Sequence, residues 1–173
     1  MRNNSLTPTT IRLATSDDTD GIVSLIDGVF KEYGDRICLT PGGSEADVLD
    51  IESGYRSKGG EFWVLESIEG EVRRIIGTHA TRPDPDNPTE VCTFKRLYLH
   101  QDFRGTHCGR DLMQVTIDWA RHQEFKRIEF WSDTRFKRAH RFFEKFGFQT
   151  DGQERHMTDS VIPYSERFFF LEL

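Results

Sequence analysis

The residue types able to do chemistry concentrate in one stretch, Phe103-Arg104-Gly105-Thr106-His107-Cys108-Gly109-Arg110. Its glycines let backbone amides approach a ligand closely, and its arginines bring positive charge to the same place. An apolar run with β character, Val91 to Leu99, precedes it. Leu112, Met113, Thr116, Ile117, Trp119 and Ala120 follow it at helical spacing. Strand, tight basic turn, helix is an order that builds an anion site. The first N–H groups of a helix have no internal partner, and the helix dipole favours negative charge there. The stretch lacks the Gly-Lys-Ser/Thr of a Walker loop and the Gly-x-Gly-x-x-Gly of a dinucleotide fingerprint. His107 has two readings, a donor to a phosphate or a steric plug. Cys108, at the helix start, reads either as a small packed residue or as a nucleophile.

The elements that must position this stretch can be read along the chain. Met1–Thr9 is expected to be a frayed tail and residues 10–173 a single domain. Thr10–Ala14 reads as a strand. Ser16 or Asp17 caps a helix whose inward stripe is Ile22, Leu25, Ile26, Val29 and Phe30, ended by Gly34. Pro41-Gly42-Gly43 marks a turn, and a second helix is expected from Ser44 or Glu45 to about Arg56. Glu61–Glu66 and Val72–Thr81 read as a hairpin around Glu69-Gly70. Three prolines make Arg82–Thr89 an exposed loop. After the strand Val91–Leu99 come the helix Gly109 to about His122, the strand Arg127–Trp131 and the helix Arg135–Phe146. Asp133 or Thr134 caps that last helix and Gly147 ends it. Phe148–Met157 and Arg167–Leu173 are two late strands. The order implies an α+β domain, a mixed and mostly antiparallel sheet with helices packed on it.

Composition narrows the function classes. The 173 residues carry a net charge of −6, which argues against a nucleic-acid surface and permits a cationic amine substrate. No apolar run approaches bilayer length, and Met1–Thr10 lacks the apolar core of a signal peptide, so no membrane partner is expected. Cys38, Cys92 and Cys108 form no zinc pattern and no disulfide framework; no metal is expected, and reduced thiols in a cytoplasm are the simple reading. Exposed edge strands leave a homodimer open.

The loop from Arg104 to Gly109 resembles the acetyl-CoA loop of the GNAT superfamily of N-acetyltransferases, Gln/Arg-x-x-Gly-x-Gly/Ala. Arg104, Gly105 and Gly109 fit, and His107 replaces the usual middle glycine. The segment Arg138–Phe148, a helix ending in Gly-Phe, resembles the second cofactor motif of that family at the right interval. The resemblance implies helices on both faces of the sheet, and a strand before the loop that splays from its neighbour to admit pantetheine. It implies acetyl-CoA as acyl donor and an unidentified primary amine, of a small molecule or a peptide, as acceptor. The alternative is a catalytically weak acyl-CoA-binding regulatory module.

The resemblance also assigns roles. The Leu97 backbone N–H would face the thioester carbonyl, and Leu97, Tyr98 and Leu99 would hold pantetheine. Arg104, Gly105, Thr106, His107, Cys108, Gly109 and Arg110 would hold the diphosphate, with Thr134 and Phe143 on the later helix near the cofactor. Two catalytic positions depart from the pattern. Thr93 stands where relatives carry a basic Glu or His, and Phe143 where they carry an acidic Tyr. Glu90 and His79 are then the nearest candidates for the base.

Overall fold

The computed structural model describes residues 7–173. Seven strands form one sheet in the order β1-β2-β3-β4-β5-β7-β6. They are β1 (Thr9–Leu13), β2 (Glu61–Glu69), β3 (Val72–Pro83), β4 (Val91–Leu99), β5 (Arg127–Asp133), β6 (Glu154–Met157) and β7 (Tyr164–Glu172). Every neighbour pair is antiparallel except β4 and β5. The helices are α1 (Thr19–Lys31), the one-turn α2 (Ile51–Gly54), α3 (Cys108–His122) and α4 (Lys137–Lys145).

Alternation along the strands supplies both faces of the sheet. Phe62, Val64 and Ala80 pack with Ile22, Ile26 and Phe30 of α1 and with Val48, Ile51 and Tyr55. On the other face, Cys92, Phe94, Ile128, Phe130 and Phe169 meet Met113 and Ile117 of α3 and Phe143 of α4. Gly147, at φ +93°, ends α4 as its spacing predicts, and the Phe148 N–H closes the turn on the Phe143 carbonyl at 3.1 Å.

Several boundaries differ from the sequence reading. The frayed-tail expectation falls outside the described residues for residues 1–6, but Thr9 is a strand residue paired with Ser67. The expected second helix is broken into 3-10 turns at Ala46–Leu49 and Arg56–Lys58 around the single turn of α2. The side chains explain the break. Asp47 is drawn inward to Arg96 and Tyr55, while Asp50 sits in extended backbone and accepts the Ser53 N–H at 3.1 Å. Strand β3 runs on through Pro83 because that residue ends the strand, where a missing N–H costs no ladder bond. The first late strand begins only at Glu154, after a turn at Gly152, φ +83°.

Candidate active site at the parting of two strands

Strand β5 pairs with β4 only over Val91–Thr93, then leaves to run alongside β7. From Phe94 to Leu99 the β5-facing edge of β4 has no strand partner among the described residues. Which amides point into that gap is set by a bulge. Before it, the Val91 carbonyl points to the β3 side, where it accepts the N–H of Asp84, the residue after that strand, at 2.9 Å. The register then slips between Thr78 and Ala80, opposite Lys95 and Tyr98, and Arg96 adopts φ +57°. After it, His100 donates to Ile76 of β3 at 2.8 Å, and Tyr98 pairs with Thr78. Backbone direction alternates along a strand, so Leu97 and Leu99 point to the open edge. Without the extra residue their amides would face β3.

Arg96 fixes the bulge from outside. Its guanidinium donates to Asp47 (Nε 3.0 Å, Nη2 2.8 Å), to Glu45 at 3.4 Å and to the Ser44 carbonyl, and its own carbonyl accepts the Thr78 hydroxyl at 2.7 Å. Burial pushes the Glu45 carboxyl up from its ordinary value. Burial acts the same way on Asp47, but Arg96 and Lys95 outweigh it and hold that group below its ordinary value.

Two hollows meet at the parting. A groove of about 480 Å³ runs over Leu97, Tyr98 and Leu99 to Arg104, Gly105, Thr106 and Gly109, and is walled by α4. A smaller cavity of about 200 Å³ lies toward β6, β7 and the segment around Ser44 and Glu45. Leu97, Tyr98 and Phe136 line both. The groove therefore carries backbone donors along its floor and a helix start at one end, and a second chamber opens beside Leu97.

The cations of the groove are not the ones the loop alone suggests. The Arg104 guanidinium is engaged by Glu32, which caps the C-terminus of α1, in a bidentate pair at 2.6 Å, and its Nε donates to the Leu99 carbonyl at 2.9 Å. It ties the end of β4 to α1. Arg138, Arg141 and Lys145 of α4 line the groove, and no ion pair holds them among the described residues. Gly105, at φ +84°, brings its backbone under Arg138, whose Nη2 lies 3.4 Å from where a Cβ would stand.

The sequence profile of the acetyltransferase (GNAT) family matches residues 33–148, from the end of α1 to the end of α4. The chain belongs to that family. Among curated proteins it is similar to rat N-acetyltransferase family 8 member 2, 27% identical over 108 residues, covering 62% of this chain and 47% of the relative. It is also similar to rat N-acetyltransferase 8F1, 28% identical over 126 residues, covering 72% and 52%. The chain thus spans about half the length of these relatives. The fold is that of an acetyltransferase from Streptococcus agalactiae, TM-score 0.75 at 23% identity over 95% of this chain and 98% of that one. It is likewise that of yncA of Salmonella typhimurium, solved with its cofactor acetyl-CoA, TM-score 0.70 at 16% identity over 95% and 93%.

Several site expectations move when placed on this GNAT fold. Glu90 precedes the paired end of β4, is exposed, and offers its carbonyl to the Lys126 and Arg127 amides; it lines neither hollow. His79 borders the cavity but is fully buried beneath the sheet on the α3 side. Its Nδ1 lies 2.9 Å from the Thr116 hydroxyl, its ring packs edge-on against Phe94, and burial pushes its pKa down to about 4. So weak a base is poorly matched to an alkyl amine.

The loop itself divides. Gly105, Thr106 and Gly109 line the groove; His107, Cys108 and Arg110 do not. The His107 side chain is 46% exposed and sits 3.8 Å from Asp111, so it does not plug the cradle. Cys108 is buried with Leu65, Ile76 and Leu112, which removes the nucleophile reading. Arg110 is solvated beside Asp111. Thr134 lines neither hollow, its amide being bound to the Ser165 carbonyl at 2.8 Å. Phe143 is a core residue touching only the smaller cavity. Sequence reasoning passed over Lys95 and Arg96, although a Lys-Arg pair inside an otherwise apolar strand was a visible signal.

Proposed function

We propose that this GNAT protein transfers an acetyl group from acetyl-CoA directly to a primary amine of a small molecule or peptide. The observation that carries the reading is the pair of amides at Leu97 and Leu99, turned by the bulge onto the edge that β5 abandons. Such donors suit the amide groups of a pantetheine arm. A donor aimed where an oxyanion develops contributes about 3 kcal/mol to the reaction. The Leu97 N–H is the one assigned that task here. The backbone around Gly105, Thr106 and Gly109 would cradle the diphosphate, with Arg138 and Arg141 supplying charge from α4. The amine would enter through the smaller cavity and meet the thioester beside Leu97.

No hydroxyl stands at Phe143 to protonate the departing sulfur. A thiol of pKa about 8.5 leaves readily as thiolate, so the reaction does not require one. The test is calorimetric titration with acetyl-CoA, followed by thiol release across a panel of primary amines. Saturable binding and amine-dependent CoA release are expected. No heat and no thermal shift at millimolar acetyl-CoA would overturn the reading.

A further inference from the structure

Acetyl transfer leaves the proton of the amine without an acceptor, since Thr93 cannot take it, Glu90 lines neither hollow and His79 is a buried, weak base. We propose that Lys95 is the base, its side-chain amine removing the proton from the acceptor nitrogen as that nitrogen attacks the thioester. The proposal rests on the acetyl-transfer function.

Position comes first. Lys95 lies on β4 opposite Ala80, whose side chain packs on the α1 side of the sheet. It lines the smaller cavity together with Leu97, the residue that also lines the groove. Its side chain is 29% exposed, and among the described residues its only carboxylate within ion-pair range is Asp47, at 3.9 Å, too far for a hydrogen bond.

Most other titratable groups of the cavity are committed elsewhere. Glu45 accepts from Arg96, from the Ser44 hydroxyl at 2.5 Å and from the Cys38 N–H at 3.1 Å. Asp133 is paired with Arg135 at 2.6 Å and Glu166 with Arg155 at 2.6 Å. Burial raises the phenols of Tyr98 and Tyr164 above their ordinary values, so both keep their protons. Asp159, on the loop between β6 and β7, accepts from Tyr164 at 3.2 Å and has no cation partner among the described residues. It is the competing base and the control.

The surroundings suit the task. Burial, then Arg96 beside it and Arg82 on β3, disfavour the ammonium form of Lys95; Asp47 and Glu166 oppose them, and the balance falls to about 8. A substantial share of the side chain is then neutral near physiological pH. In the step itself, the N–C bond forms and the acceptor nitrogen becomes strongly acidic. Its proton passes to Nζ, the C–S bond breaks, and CoA leaves as thiolate. The lysine ammonium then returns its proton to solvent.

The test combines a titration with kinetics. Protein carrying [ε-13C]lysine, with Lys95 assigned through Lys95→Arg, should show one resonance titrating near 8; titration near 10 overturns the proposal. That measurement needs neither acetyl-CoA nor an acceptor. Failure of the acetyl-transfer function would appear separately, as wild-type protein that does not bind acetyl-CoA. With the best amine of the panel, Lys95→Arg and Lys95→Met should bind acetyl-CoA within twofold of wild type. They should lose at least about 100-fold in kcat with KM changed less than threefold, and lose the rise of kcat/KM through pH 8. Retained kcat with raised KM would make Lys95 an anchor for an acidic acceptor and overturn the proposal. So would an Asp159→Asn variant that abolishes kcat while the Lys95 variants keep it.

Discussion

Two adjacent residues of β4, Lys95 and Arg96, show how burial gives a side chain its role. Arg96 carries the positive charge that the buried Glu45 and the half-buried Asp47 require. Removing one partner of such a cluster leaves charge uncompensated in a low-dielectric interior. Arg96→Ala should therefore destabilise the protein by about 3–5 kcal/mol in urea denaturation at pH 7. A loss under about 1 kcal/mol would mean that the bulge holds itself. Lys95 behaves oppositely. Its folded value, about 8, lies below the value near about 10.4 of an exposed lysine. Between those values the unfolded chain binds more protons, so stability rises with pH through that window, and the cost of burying the cation is fully present below 8. Lys95→Met should thus be more stable than wild type at pH 7, on the order of 2 kcal/mol, with the gap shrinking at pH 10. Parallel urea titrations at the two pH values check this; a gap that does not change with pH would refute it.

At the scale of elements, the loop before α3 and the exposed face of α4 divide the work of holding an anion. The loop contributes backbone and α4 contributes charge, because Arg104 is already spent on Glu32 and the Leu99 carbonyl. Arg138→Ala and Arg141→Ala should each weaken acetyl-CoA binding about tenfold or more in calorimetry, the value of a charge-assisted hydrogen bond, with little change in stability. His107→Gly should leave affinity within about twofold, since the imidazole points away from the groove; a larger gain would revive the steric plug. Much of this architecture was legible in the chain. The strand, turn and helix around Arg104, the hairpin at Gly70 and the stop at Gly147 all follow from local patterns. What was not legible depends on partners far away in sequence. Arg96 meets Asp47 and Arg104 meets Glu32, and neither pairing leaves a local signature. Those distant demands break the expected helix after Ser44 and redirect an arginine that the loop motif would give to phosphate.

At the scale of the molecule, the sheet is two pieces joined along a short seam. Strands β1 to β4 form one antiparallel block and β5 to β7 another, and three register pairs, Val91 with Arg127 to Thr93 with Glu129, join them. Beyond that seam, α3 and α4 fill one face with aromatic and aliphatic side chains, and among the described residues no backbone bond crosses the gap. The design leaves the Leu97 and Leu99 amides on an edge with no strand opposite, while Tyr98 and His100 are bonded back to β3. Hydrogen exchange reads this alternation directly. In the free protein the amides of Leu97 and Leu99 should exchange markedly faster than those of Tyr98 and His100, although all four lie within one short stretch. Saturating acetyl-CoA should slow Leu97 and Leu99 selectively. The whole fold should gain about 2.7 kcal/mol at a ligand concentration of 100 times Kd. A global gain without selective protection would place the ligand on the surface of the groove rather than along the open strand, and the catalytic assignment of the Leu97 amide would fall with it.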